Sequence, residues 1–171
     1  MTFEEKFSIK NGFTEPKTFK EIFENYNGKD KTGYGIYVIF KNKNFFYSIR
    51  NSLSTHKEIK IDYKIANEKL SKSDILLIGL PQMMYSTKYD LENEIYQLYK
   101  TGQRFPKRTF FGKLLFILEN YETLNVSYKK LDFVPARYEY LKLINEHVDY
   151  FDTLPFANLS DSAPKLPYPY E

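Results

Sequence analysis

The stretch Thr32-Gly33-Tyr34-Gly35-Ile36-Tyr37-Val38-Ile39-Phe40 decides how the fold is read. Its glycines punctuate a turn. Gly35 to Phe40 then carry β-branched and aromatic side chains on both faces, the pattern of a strand covered on both sides or lying at the centre of a small sheet. Asn42-Lys43-Asn44 offers a tight turn, and Phe45-Phe46-Tyr47-Ser48-Ile49 is expected to return as the antiparallel partner. A second apolar run, Asp74-Ile75-Leu76-Leu77-Ile78-Gly79-Leu80, supplies a third strand.

Around this nucleus the chain has the means to build one domain. It has 171 residues, of which 42% are hydrophobic and 18% aromatic, enough to bury a sizeable core. Residues 1–160 are expected to form that domain, with an N-terminal helical extension, and 161–171 a Pro- and Tyr-rich tail of polyproline character. The absence of cysteine excludes disulfides, thiolate zinc sites and thiol nucleophiles together. His56 and His147 stand far apart, so a histidine-rich metal site is not expected, and each reads as an ordinary surface or boundary residue. The first residues lack the basic and apolar regions of a signal peptide, and no stretch is long enough to span a bilayer. A soluble cytoplasmic protein with no membrane partner and no nucleotide cofactor is the expectation. A net charge of +3 does not by itself announce nucleic acid, so that case rests on local clustering.

Helical periodicity places the remaining elements. Phe19, Ile22, Phe23 and Tyr26 fall at i, i+3, i+4 and i+7 after Pro16, and Tyr63 to Leu70 suits a short helix. Asp90 to Lys100 carries a Leu91, Ile95, Leu98 stripe. The acids Asp90, Glu92 and Glu94 crowd its first turns, where the helix dipole favours them. Gly112 to Leu118 is apolar enough for a buried helix or strand, and Leu124 to Tyr128 alternates like a strand. Pro135 to Val148 is the last main helix, with Val134, Tyr138, Leu141, Ile144 and Val148 down one side.

The most polarised segment runs from Lys100 to Lys113. It carries Arg104, Lys107, Arg108 and Lys113 interleaved with Phe105, Phe110 and Phe111, and no acid follows before Glu119. Cations mixed with aromatics are what phosphate contact plus base stacking requires. The same pattern also fits a solvated basic loop anchored to the core by its phenylalanines.

Taken in order, Gly35-Ile36-Tyr37, Leu77-Ile78-Gly79, Gly102, Pro106, Gly112-Lys113, Leu118 and Pro155-Phe156-Ala157-Asn158-Leu159 resemble the GIY-YIG nuclease superfamily, in a bacterial and phage branch with this C-terminal motif. The resemblance covers roughly residues 12 to 159. It implies a small α+β domain, about three antiparallel strands flanked by helices, that hydrolyses a DNA phosphodiester. It further implies that the tyrosine of the first signature helps to activate water, that an arginine on the next helix binds phosphate, and that a later glutamate holds one divalent ion, magnesium or manganese.

Carried over residue by residue, Tyr37 is in place. Leu77 stands for the tyrosine of the second signature, Leu80 for the lysine that often follows its glycine, and Leu91-Glu92-Asn93-Glu94-Ile95 for a basic helix. Acid where phosphate should bind repels it: two like charges about 4 Å apart cost roughly 4 kcal/mol at a protein surface. The glutamate's ungapped position falls on Tyr140, with Glu139 beside it as the catalytic and metal-binding candidate. The expectation is a protein of this fold that has lost the usual site and binds nucleic acid through Arg104, Phe105, Lys107, Arg108 and Lys113. An active, divergent endonuclease using Tyr37 and Glu139 is the first alternative. A module that binds a protein partner is the second.

Overall fold

In the computed structural model, residues 2–29, 32–50, 62–81, 90–103 and 113–158 are described. They form an α+β fold: an open antiparallel sheet in the order β1-β4-β2-β3, with helices against both faces. The elements are β1 (Lys17–Thr18), α1 (Phe19–Asn25), β2 (Gly35–Phe40), α2 (Tyr63–Lys72), β3 (Ile75–Gly79), α3 (Leu91–Gln103), β4 (Asn125–Lys130) and α4 (Phe133–Phe151). β2 and β3 lie where apolar runs predicted them and β4 where alternation did, and β1 adds a short strand at the edge.

The strand β2 sits between β3 and β4, which explains why both of its faces are apolar. Ile36 and Val38 point to one layer, where they pack with Ala136, Leu143 and Ile144 of α4 and with Phe3, Phe7 and Phe13 of the N-terminal segment. Tyr37 and Ile39 point to the other, against Phe19 of α1 and Leu91 and Ile95 of α3. The period of two along a strand thus assigns alternate residues of one hexapeptide to two separate cores.

The expected hairpin does not form. The turn at 42–45 is present, with Phe45 N donating to Asn42 O and Asn44 N to Asn42 Oδ1. The segment after it pairs instead with residues 117–119: Ile49 bridges Leu118, Arg50 N donates to Ile117 O, and Glu119 N donates to Ser48 O. The reason is geometric. A strand has two hydrogen-bonding edges, and both edges of β2 are taken by β3 and β4.

The helices start for identifiable reasons. Thr18 caps α1 in a reciprocal box with Glu21, its hydroxyl accepting from Glu21 N while the carboxylate accepts from Thr18 N at 2.7 Å. Leu91, Ile95 and Leu98 of α3 are buried, as their spacing predicts. In α4 the predicted stripe is buried at Leu141 and Ile144 and packs on the core at Val148, but not in its first turns. Val134 and Tyr138 are exposed, whereas Ala136, Leu143, Ile144 and His147 face the sheet. Ala136 lacks a bulky side chain, so the helix approaches β2 there. Residues 113–117 form a short 3-10 helix leading to the Leu118 bridge. No helix among the described residues is long and apolar enough to cross a membrane.

The free edge of β3 is closed by the chain's last described turn. Ala157 N donates to Leu76 O at 2.7 Å. The Asn158 amide then pairs with Ile78 at both ends, its Oδ1 accepting from Ile78 N and its Nδ2 donating to Ile78 O. Phe156 and Leu154 drop into the two cores on either side. The Pro155-Phe156-Ala157-Asn158 run therefore acts as a surrogate strand that leaves no open edge at β3.

Candidate functional site

Tyr37 sits at the centre of β2 and is 0% exposed. Its ring lies across the strand pair on Gly79, where a Cβ would come within 2.3 Å of Cζ. Leu77, the residue in place of the second signature's tyrosine, is buried in the same cluster. The two signatures thus meet in space, and they meet as packing beneath α1 and α3.

Glu139 is not brought to Tyr37. It lies on α4, which covers the opposite face of the sheet, and both of its oxygens receive the Lys129 ammonium, at 2.9 and 3.2 Å. Lys129 is also held over the Phe13 ring at 5.9 Å. The pair opens on a groove of about 480 Å³ between α4 and the N-terminal segment, in which Lys6, Lys142 and Glu146 make a second mixed cluster. A divalent ion at Glu139 would compete with this lysine. Among the described residues no three acids or histidines gather to hold a metal. The residues present do not fit the ion that the fold resemblance implies.

Tyr140, which falls on the glutamate's ungapped position, is turned into the core. Burial raises its phenol above the ordinary range, with Asn158 opposing the shift. It supports the edge-closing turn and offers no metal ligand.

The start of α3 is the position where a phosphate would meet a helix N-terminus, and the chain itself occupies it. Leu91 N donates to Gly33 O, Glu92 N to Thr32 Oγ1, Asn93 N to Asp90 Oδ2 and Glu94 N to Asp90 O. Asp90 Oδ1 also accepts from Gly33 N at 2.9 Å and from the Thr32 hydroxyl at 3.0 Å. Glu94 N makes the first bond internal to the helix, and the three donors before it, on Leu91, Glu92 and Asn93, are all taken by the chain itself. The acids of the first turns are structural, and they dock the turn that enters β2 onto α3. The sequence signal was there: Asp90 immediately before an apolar-periodic run is an N-cap.

Glu92 has a further partner. The Tyr128 hydroxyl on β4 donates to its Oε1 at 2.9 Å. Burial first, then the hydrogen bond to and charge of Glu92, hold the Tyr128 phenol well above the usual tyrosine range. This tyrosine keeps its proton and cannot serve as a base at neutral pH.

Of the basic and aromatic candidates, Arg104, Phe105, Lys107 and Arg108 lie outside the described residues, and Lys113 begins the 3-10 helix. The ends of that segment are placed. Tyr99 near the end of α3 packs on Phe19 and Tyr121, so α3 runs from the Gly33 end of the sheet to the end where β4 begins.

His147 departs from its expectation as a boundary residue. It is fully buried between Phe3 and Phe151. The Thr153 carbonyl can only accept, so Nδ1 carries the proton toward it at 2.7 Å, and Nε2 accepts from the Ser73 hydroxyl at 3.0 Å. Ser73 Oγ in turn accepts from Ile75 N. No periodic stripe flagged His147, because pattern reading scores imidazole as polar. The chain matches no protein-family model, no curated protein and no solved structure.

Proposed function

We propose that this chain is a GIY-YIG-fold protein that lacks the usual hydrolytic site and acts by binding nucleic acid through the segment 100–113. The observation that carries the non-catalytic half is the placement of Tyr37 and Glu139 on opposite faces of the sheet, one buried and one neutralised by Lys129. A phosphodiester cannot touch both. The start of α3 adds to it, since the N–H groups of Leu91, Glu92 and Asn93 are already taken within the chain.

The binding half rests on the composition of Arg104, Phe105, Lys107, Arg108 and Lys113 and on the absence of acid among them. Such a segment attracts the phosphate backbone without reading sequence, and its affinity falls as salt rises. The test is titration of the protein with labelled DNA at several salt concentrations, beside a variant with Arg104, Lys107 and Arg108 changed to Gln. Salt-dependent binding that the variant weakens, with a shallower slope, is the expected result. Absence of binding, or a slope unaffected by the variant, overturns it.

A second reading has its own observation. At the Gly33 end of the sheet, Phe133, Val134 and Tyr138 are each about half exposed around the start of α4, with the Tyr34 ring tilted against that of Phe133. Clustered exposed apolar side chains mark contact surfaces for proteins. Pull-down with Phe133→Ser and Tyr138→Ser variants separates this reading from the first.

A further inference from the structure

Phe45 and Phe46 were expected in a strand and stand instead on a turn, 46% and 79% exposed. Two adjacent phenylalanines held in water are costly, and nothing in the local packing requires them. A flexible loop would bury such rings against its own surface. This one is prevented from doing so by an unusually complete set of bonds.

The backbone turns at Asn42, whose carbonyl accepts from Phe45 N and whose side chain accepts from Asn44 N. Asn42 N donates to the hydroxyl of Tyr47, a buried ring that anchors the turn from below. The Tyr47 hydroxyl is 2.8 Å from Thr123 Oγ1, and Thr123 donates to Asn120 O. Tyr47 is therefore the donor in that contact. Asn120 closes the ring by donating from Nδ2 to Phe46 O at 3.0 Å, from a left-handed backbone conformation with φ 59°. The carbonyl of the most exposed phenylalanine is thus fixed to a second turn, and the two rings are presented on a preorganised platform. Preorganisation of this kind removes the ordering cost from a binding event.

The platform is joined to the chain that follows the basic segment. The 3-10 helix that starts at Lys113 spans five residues, about 10 Å at the rise of such a helix, before Leu118 bridges Ile49. Arg50 is engaged, its Nε donating to Leu118 O and its guanidinium lying over the Tyr121 ring. The rings therefore contribute exposed apolar surface.

From these observations we infer that Phe45 and Phe46 form a stacking platform for unpaired nucleobases, in single-stranded or locally opened DNA. This rests on the nucleic-acid reading above and deepens it, by adding a base-contacting element to a phosphate-contacting one. Every nucleobase has a π-face, so the contact is tolerant of sequence, and loss of one aromatic partner costs about one order of magnitude in affinity.

The test compares the wild type with the Phe45→Ala/Phe46→Ala double variant and with Phe46→Trp, against a short single-stranded oligonucleotide carrying 2-aminopurine and against the duplex of the same sequence. The expected results are a loss of roughly tenfold or more in single-strand affinity for the alanine variant, an unchanged salt slope, 2-aminopurine quenching that the variant abolishes, and retention of both in Phe46→Trp. An unchanged thermal midpoint verifies that removing exposed rings leaves the fold intact. If the alanine variant binds and quenches like the wild type, the platform is refuted while the basic-segment reading stands. Wild-type protein that binds neither strand form refutes both.

Discussion

Tyr37 and Gly79 face each other across β2 and β3, and the tyrosine ring fills the space that any side chain at 79 would need. A Cβ there would stand 2.3 Å from Cζ and 2.5 Å from the phenolic oxygen. In this chain the glycine is required by the ring above it. Gly79→Ala is expected to destabilise the fold by about 1–3 kcal/mol, the usual cost of overpacking. Tyr37→Leu in the same background relieves the clash, so the double variant is more stable than the sum of the two losses predicts. Urea unfolding of the four-member cycle measures this coupling, and strict additivity would count against the packing role.

Asn158 serves the sheet from outside it. Its amide supplies the donor and the acceptor that an additional strand would bring to Ile78, in a buried place where water cannot substitute. Asn158→Ala leaves both groups of Ile78 unpaired, at about 1–3 kcal/mol each. Asn158→Asp keeps the acceptor, loses the donor and buries a charge, and so is expected to be no better. Denaturation midpoints rank the three proteins, and an alanine variant as stable as the wild type would show that the contact carries little.

Burial between Phe3, Phe151 and Ser73 brings the His147 pKa down to about 4, against 6.5 for the ordinary side chain, with the bond to Thr153 opposing the shift. As pH falls, the unfolded chain takes up the proton first. The contribution of His147 is therefore complete above pH 6.5, is lost progressively toward about 4 and is constant below that. Its full span is on the order of 3 kcal/mol. Protonation at Nε2 also removes the acceptor for the Ser73 hydroxyl. Unfolding free energies of wild type and His147→Gln, measured across this range, should converge as the pH drops; parallel profiles would refute the assignment.

These residues also show what could be read from the chain and what could not. The runs at 35–40 and 75–79 announced their strands because strands covered on both faces need continuous apolar sequence, 124–128 announced β4 by alternation, and Leu91, Ile95 and Leu98 announced α3 by periodicity. The pairing of Phe45 to Ile49 was misread because local alternation cannot reveal that both edges of β2 are already taken. The face of α4 was read correctly at Leu141 and Ile144 and misread in the first turns, because Val134 and Tyr138 count as apolar wherever they stand, while the small Ala136 and the polar His147 that face the sheet do not. Among the site residues, Tyr37 was legible as a strand residue. That Glu139 lies beyond the sheet from it depends on which side α4 packs, a tertiary fact that no spacing encodes. The clasp of Thr32 on Asp90 joins residues far apart in sequence and was likewise out of reach.

The central proposal is that this chain binds nucleic acid and does not cleave it. Its most direct test is incubation of the protein with supercoiled plasmid in magnesium and in manganese, beside Tyr37→Phe and Glu139→Gln, with DNA binding followed on the same samples. The account predicts binding without nicking, and no difference between the wild type and either variant in the plasmid lane. Metal-dependent nicking that disappears in Tyr37→Phe or Glu139→Gln would contradict it, because it would mean that the buried tyrosine and the lysine-paired glutamate reach a common substrate.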